Sequence, residues 1–180
     1  MLANRGYRTE EPPLGEAELL RRLAEQGDHH LLWVRGDRKL LMYITVESKV
    51  GIKTVRKLHQ ALRGSDIPGA VVLYEASITP FARQAMKNLL SQEGLRIETF
   101  CLLELAIDLI QHKYVPQHTV LSPAEKQAVL DKYDRNIELY PKLLQNDPCA
   151  RYYGMVPGDM VKIQRYYENY GEYVTYRVVC

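Results

Sequence analysis

The chain has 180 residues, 46% of them hydrophobic, which is enough for one domain or two small ones with a true core and excludes a disordered polymer. Lys plus Arg number 24 against 22 Asp plus Glu, and splitting at residue 110 leaves 15 against 14 before it and 9 against 8 after it, so neither half would hold nucleic acid by bulk charge. Three cysteines (Cys101, Cys149 and Cys180), odd in number and without ligand spacing, argue against a disulfide framework or a zinc site; they suit a reducing compartment, and neither a secretory pattern nor an apolar run of spanning length is present.

In chain order, Arg5-Gly6 reads as the end of a helix whose earlier turns are absent. Residues 15 to 26 form a helix with Ala17, Leu19, Leu20, Leu23 and Ala24 as its apolar stripe, closed by Gly27. Leu31 to Val34 and Leu40 to Val46 are strands around the turn Arg35-Gly36-Asp37-Arg38. Gly51 to Arg63 is a helix with Ile52, Val55, Leu58 and Leu62 on one side. Ala70 to Tyr74 is a short apolar strand. Thr79-Pro80 opens a helix with Phe81, Ala85, Leu89 and Leu90 facing inward; Leu95 to Phe100 is a strand, and Leu102 to Ile107 a short helix. This alternation predicts an α/β layer. The polar, aperiodic stretch from Gln111 to His118 is the best boundary, dividing a domain of residues 1–110 from one of residues 111–180. The fold class is α/β, or α+β over the whole chain.

The second half has the clearest local signals. Ser122-Pro123-Ala124-Glu125 is a capping box with proline at the first helical position, and its helix runs to about Tyr133. Asp147 caps the next helix, Pro148 opens it and Gly154 ends it in the left-handed conformation. Met160 to Tyr166 and Tyr173 to Val179 then alternate as a hairpin. Val161 and Ile163 alternate with Lys162 and Gln164, and Val174, Tyr176 and Val178 with Thr175 and Arg177, so one set should fill a core.

Several segments, in order, resemble the fifth subunit shared by the eukaryotic nuclear RNA polymerases, whose C-terminal domain corresponds to the archaeal H subunit. They are Val50-Gly51-Ile52-Lys53-Thr54; Ile78-Thr79-Pro80 with Ala82; His112, Val115-Pro116 and His118; Asp147-Pro148-x-Ala150-Arg151-Tyr152 with Gly154; Gly158 before Val161-Lys162-Ile163; and Gly171-x-Tyr173 with Tyr176-Arg177. The resemblance implies a non-catalytic polymerase subunit. Its N-terminal domain, restriction-endonuclease-like in fold, would form part of the lower jaw beside downstream double-stranded DNA. Its C-terminal domain would serve assembly by docking on the largest subunit, next to neighbouring small subunits. The implied location is the nucleus, or a viral transcription complex if the source is viral. No cofactor, metal, small-molecule ligand or membrane partner is expected. The chain departs from the family pattern at Phe81, where a serine is usual, at Val156-Pro157, which replaces a basic pair, and at Tyr166, Tyr167 and Tyr170, which occupy a turn usually Pro-Ser-Glu-Thr-Ala.

The candidate jaw residues are Thr79, Pro80, Phe81, Arg83 and Lys87. A helix N-terminus offers free amides with partial positive charge, suited to a phosphate. Arg83 and Lys87, four apart, repel mildly unless an anion lies opposite; an ordinary capped helix with a solvated basic face explains them equally. The candidate docking residues are Arg151, Tyr152, Lys162, Arg165, Tyr167, Tyr170, Tyr173, Tyr176 and Arg177. Seven tyrosines after residue 151 exceed what so small a core needs, and tyrosine is enriched at protein interfaces.

Two alternatives compete: a metal-dependent nuclease and a free-standing nucleic-acid adaptor, the latter disfavoured by the near-zero charge. Glu47-Ser48-Lys49 has the short ExK form of metal-dependent nucleases, for which Asp37 or Asp28 would supply the second carboxylate. Gly51-Ile52-Lys53-Thr54 lacks the spacing of a phosphate loop. His112 and His118 lack further ligands and read as structural linker residues. Cys149, at a helix start where a thiol pKa could fall, reads as a packing residue.

Overall fold

The computed structural model describes residues 1–9, 21, 25, 28–45, 47–63, 65, 67–167, 169 and 171–180. Most of the helix expected over residues 15 to 26 lies outside these, as does Tyr170. The chain divides into two compact units: one holds Leu2 and Gly6–Ile107, the other Met1, Ala3–Arg5 and Asp108–Cys180. The class is mixed, α/β with separate sheets, as the alternation of elements predicts.

The first unit is built on a five-stranded sheet with strand order β1-β2-β3-β5-β7, where β1 is Arg8–Thr9, β2 His29–Arg35, β3 Arg38–Ile44, β5 Gly69–Tyr74 and β7 Arg96–Cys101. β2 and β3 form an antiparallel hairpin closed by Gly36-Asp37, with Gly36 at φ +56°. β3, β5 and β7 run parallel. The crossovers carry helices α1 (Ile52–Leu62) and α2 (Pro80–Glu93); a short helix α3 (Leu102–Ala106) follows β7. Being central, β5 is buried along nearly its whole length, which is why Gly-Ala-Val-Val-Leu reads as a run rather than an alternation. Gly69 is required by packing: a Cβ there would lie 2.7 Å from the Arg96 carbonyl oxygen of the neighbouring strand.

Leu41, Tyr43, Ala70 and Val72 from one face of this sheet pack with Val55, Leu58 and Leu62 of α1 and Ala82 and Met86 of α2. Three residues depart from the faces expected of them, Ile52 on α1 and Phe81 and Leu90 on α2. Ile52 is exposed while Thr54 is buried, its hydroxyl donating to the Glu47 carboxylate. On α2 the buried stripe is Ala82 and Met86, with Ala85 and Leu89 partly buried; Phe81 (77% exposed) and Leu90 face out. Each helical residue turns by about 100°, so Phe81 and Leu90 lie on either flank of that stripe. A feature with no sequence signal is a two-stranded parallel sheet of β4 (Lys49–Val50) and β6 (Ser77–Ile78).

The second unit is a four-stranded sheet, order β8-β10-β11-β9, with β8 Gln117–Val120, β9 Lys142–Leu143, β10 Met160–Tyr167 and β11 Gly171–Val179. Helices α4 (Pro123–Lys132) and α5 (Pro148–Tyr153) have the expected caps. Ser122 and Glu125 complete the reciprocal box; Asp147 accepts from the amides of Cys149 and Ala150; Gly154 closes α5 at φ +67°.

The hairpin register corrects the expectation of one core-filling set. Val161 pairs with Arg177, whereas Met160 pairs with Val178 and Lys162 with Tyr176. Directly opposed residues share a face, so Val161 and Ile163 lie on the face opposite Val174, Tyr176 and Val178. Both faces carry a core. Val161, Ile163 and Val179 pack with Leu143, Ala150 and Met155, and Met160 and Val178 pack with Val129 of α4, Ile137 and Tyr140. The alternation within each strand is real, but each alternate set has its own helix to cover it.

Candidate functional site

The candidate residues fall on two surfaces, one in each unit. In the first unit, β4 and β6 pair parallel in register (Lys49 with Ser77, Val50 with Ile78), and each hands over to a helix within two residues. The Thr79 amide also donates to the Val50 carbonyl at 3.0 Å. Parallel strands followed at once by helices bring two helix N-termini side by side, α1 at Gly51 and α2 at Thr79-Pro80. Neither first turn contains an acidic residue, and the Gly51 cap provides no side-chain acceptor. Thr79 accepts from the Ala82 amide at 3.3 Å. A carboxylate does lie at the first turn of α1, where Glu47 accepts from the Thr54 hydroxyl; the free first-turn amides of α2 have no acidic residue beside them in their own turn and keep their partial positive charge.

Lys49, Lys53 and Arg83 are exposed around this edge, Lys87 is exposed about one turn beyond Arg83 on α2, and none has a carboxylate partner among the described residues; Phe81 stands out beside Arg83. The arrangement favours an anion, with one exposed aromatic face next to it. The two sequence segments that meet here, Val50 to Thr54 and Ile78 to Ala82, are separated by 24 positions from Thr54 to Ile78, and only the β4–β6 pairing shows that they form one edge.

The ExK segment lies just upstream. The Glu47 carboxylate accepts from the Thr54 hydroxyl, and Asp28 accepts from the hydroxyls of Tyr43 and Thr45 with Lys57 Nζ 3.7 Å away. Burial, then the hydrogen bond and charge of Asp28, push the Tyr43 hydroxyl pKa well above its ordinary value. This is a hydrogen-bonded polar knot that ties the end of β3 to α1. Among the described residues no group of three or more His, Cys, Asp or Glu side chains is placed to hold a metal ion.

In the second unit the docking candidates separate. Tyr152 is buried; its hydroxyl accepts from Asn4 Nδ2 at 2.7 Å and lies 3.4 Å from Asp108 Oδ1, so its polar end is committed within the fold. Burial and the Asp108 charge raise its pKa. The carbonyls of Arg151 and Tyr152, at the end of α5, accept from the Arg5 guanidinium, at 2.8 Å in the case of Tyr152. Arg177 is half-buried and donates to the Lys142 carbonyl at 3.2 Å. Tyr176 packs on Tyr133 with ring centroids 5.8 Å apart, and Lys162 is its cross-strand neighbour on the α4 face. Arg165, Tyr167 and Tyr173 are exposed together on the other face, toward the hairpin end.

Beside them is a cleft missed by sequence reasoning, about 420 Å³, with Lys113, Tyr114 and Pro116 on one side and Gln164 to Tyr167 on the other. Tyr166 and Tyr114 are both nearly four-fifths exposed. The two linker histidines differ: His118 is buried on β8 with Nδ1 2.7 Å from the Pro116 carbonyl oxygen, and His112 packs on Tyr114 at 5.7 Å. Cys149 is buried, and burial together with the Asp147 charge pushes its thiol up to about 11, opposite to the lowering that a helix start alone would produce.

Residues 107–179 match the family described as RNA polymerase Rpb5, C-terminal domain. The subunit of DNA-directed RNA polymerases I, II, and III from Dictyostelium discoideum is 35% identical over 130 residues, covering 72% of this chain and 66% of that protein. Those of Caenorhabditis briggsae and Caenorhabditis elegans are 33% identical over 141 residues, 78% of this chain and 66% of theirs. These relatives are named as subunits shared by DNA-directed RNA polymerases I, II, and III. The chain belongs to the Rpb5 family, and its match spans 66% of the length of these relatives.

Proposed function

We propose that this chain is a non-catalytic subunit of a nuclear DNA-directed RNA polymerase, docked through its C-terminal unit on the largest subunit and neighbouring small subunits. Its N-terminal unit contributes to the lower jaw, with Thr79, Pro80, Phe81, Arg83 and Lys87 facing downstream double-stranded DNA.

The observation that carries the jaw half of this reading is the pair of adjacent helix N-termini at Gly51 and Thr79, ringed by lysines and arginine with no carboxylate partner among the described residues. Such an edge holds phosphate oxygens through amides and point charges without reading bases, as a polymerase that slides along any sequence needs. The docking half is supported by the exposed Arg165, Tyr167 and Tyr173, because tyrosine combines large contact area with a polar tip. Arg177, bonded to the Lys142 carbonyl, and Tyr176, packed on Tyr133, hold the hairpin behind that surface, Tyr152 fixes α5 from within, and Lys162 and Arg151 stay among the docking candidates.

The test is affinity purification of the tagged full chain followed by mass spectrometry. The largest polymerase subunits should co-purify, and a hairpin variant such as Arg165→Glu with Tyr173→Ala should reduce their recovery severalfold. Recovery of the chain free of every polymerase subunit would overturn the reading.

A further inference from the structure

The hairpin strands are unequally covered. β10 runs from Met160 to Tyr167, but β8 pairs with it only from Val161 to Gln164, so that among the described residues the outer edge is unpaired from Arg165 onward. The phase of that edge follows from one bond. The Leu121 amide donates to the Met160 carbonyl at 2.9 Å, so even-numbered residues of β10 aim their backbone groups outward, toward the position β8 occupies. Past the end of β8, the next such residue is Tyr166. Its N–H and C=O face the open cleft with no backbone partner among the described residues.

Two cations flank this free rung, Lys113 and Arg165, and neither has a carboxylate partner among the described residues; Lys113 instead lies 5.4 Å from the Tyr114 ring centre. Tyr114, Tyr166 and Tyr167 supply the apolar walls.

We infer that this cleft is a docking site for an extended, acidic peptide segment of a protein partner, which adds to the open edge of β10 as a short strand in line with β8. Strand addition provides the main-chain bonds, and alternate side chains choose the partner. Here a carboxylate would meet Arg165 on the face it shares with Tyr167, with Lys113 across the cleft, and the other face would lay an apolar residue on the Tyr166 ring. A peptide is favoured over single-stranded nucleic acid for a specific reason. A strand edge presents a donor and an acceptor in alternation, which another peptide backbone matches and a sugar-phosphate backbone does not. Two cations also make a weak track for polyphosphate. The inference relies on the polymerase reading only in taking the partner to be a protein.

The test uses the full chain with three probes: a blocked ten-residue peptide alternating Glu and Val, its Lys-for-Glu counterpart, and a ten-nucleotide oligouridylate. The acidic peptide should bind with salt-sensitive affinity, shift the Tyr166 amide resonance and slow that amide's hydrogen exchange. Lys113→Glu with Arg165→Glu should weaken it at least tenfold, and Lys113→Gln with Arg165→Gln by a smaller factor. Unmoved Val161 and Met160 amide resonances would verify that the sheet is intact in each variant. Equal binding of the acidic and basic peptides overturns the inference, as does affinity indifferent to the charge reversal or occupation of the cleft by the oligouridylate alone. Co-purification with polymerase subunits is scored separately: its failure in the unmodified chain sinks the polymerase reading, and failure of the acidic peptide to bind sinks only the docking site.

Discussion

Arg5 is the residue whose role departs furthest from its place in the chain. It sits near the amino terminus yet belongs with the C-terminal unit, where its guanidinium fork satisfies the last carbonyls of α5. A helix end leaves carbonyls unpaired, and a cation there also meets the negative end of the dipole. Gly154 is required by its φ of +67°, and a Cβ there would stand 2.7 Å from the Arg5 guanidinium, which would have to shift. Arg5→Ala should therefore lower stability by about 1–3 kcal/mol, the range for removing a charged donor from partly buried acceptors. Urea unfolding reads the change, and Arg5→Lys should recover only part of it because an ammonium lacks the fork. An unchanged midpoint would show that water replaces the guanidinium without loss. Cys149 allows a second prediction. With its thiol pushed up to about 11, only about one molecule in a thousand is thiolate at pH 8. Iodoacetamide at that pH should label the exposed Cys180 long before Cys149, as peptide mass mapping would record; equal rates would contradict the burial.

At the level of elements, caps were legible and partners were not. Asp147, Pro148 and Gly154, or Ser122, Pro123 and Glu125, act within four residues, so their order alone is sufficient. The β4–β6 pairing joins residues 28 positions apart and has no local signature. The hairpin was visible, but its phase was not. Alternation tells which residues of one strand share a face, while the register that set Val161 against Arg177 depends on the length and geometry of the turn. The α4 capping box also makes a pH prediction. Hydrogen bonds from the Ser122 hydroxyl and amide lower the Glu125 pKa. A carboxylate with a depressed folded-state pKa contributes stability above its unfolded value, about 4.5, and loses it as pH falls through the lower folded value. The first turn of α4 should thus fray in acid, seen as faster exchange of the Glu125 and Lys126 amides below about pH 4.5. Glu125→Gln should abolish that acid dependence; persistence of the same pH profile in the variant would assign it elsewhere.

For the whole molecule, the two surfaces lie in different compact units, each with its own sheet and core. The resemblance suggested two tasks and set the jaw candidates between Thr79 and Lys87; Lys49 and Lys53 were not among them, because the β4–β6 pairing that brings their segment beside Thr79 has no local signature. If each unit carries one task, their defects should be separable. Arg83 and Lys87 are exposed on α2 and support no core contact, so reversing both to Glu leaves the fold and the C-terminal unit untouched. Polymerase containing Arg83→Glu, Lys87→Glu should form in normal yield. The two new carboxylates would nonetheless repel the phosphates they face, and the repulsion should weaken with salt because the edge is open to solvent. Photocrosslinking from position 84 to downstream duplex should therefore drop severalfold at low ionic strength, with the gap from the unaltered enzyme narrowing as salt rises. The drop should be the same for any downstream sequence, since amides and point charges at phosphates carry no base information. A loss of assembly in this variant would refute the separation of tasks, and an unchanged crosslink would remove the Thr79 edge from the DNA path.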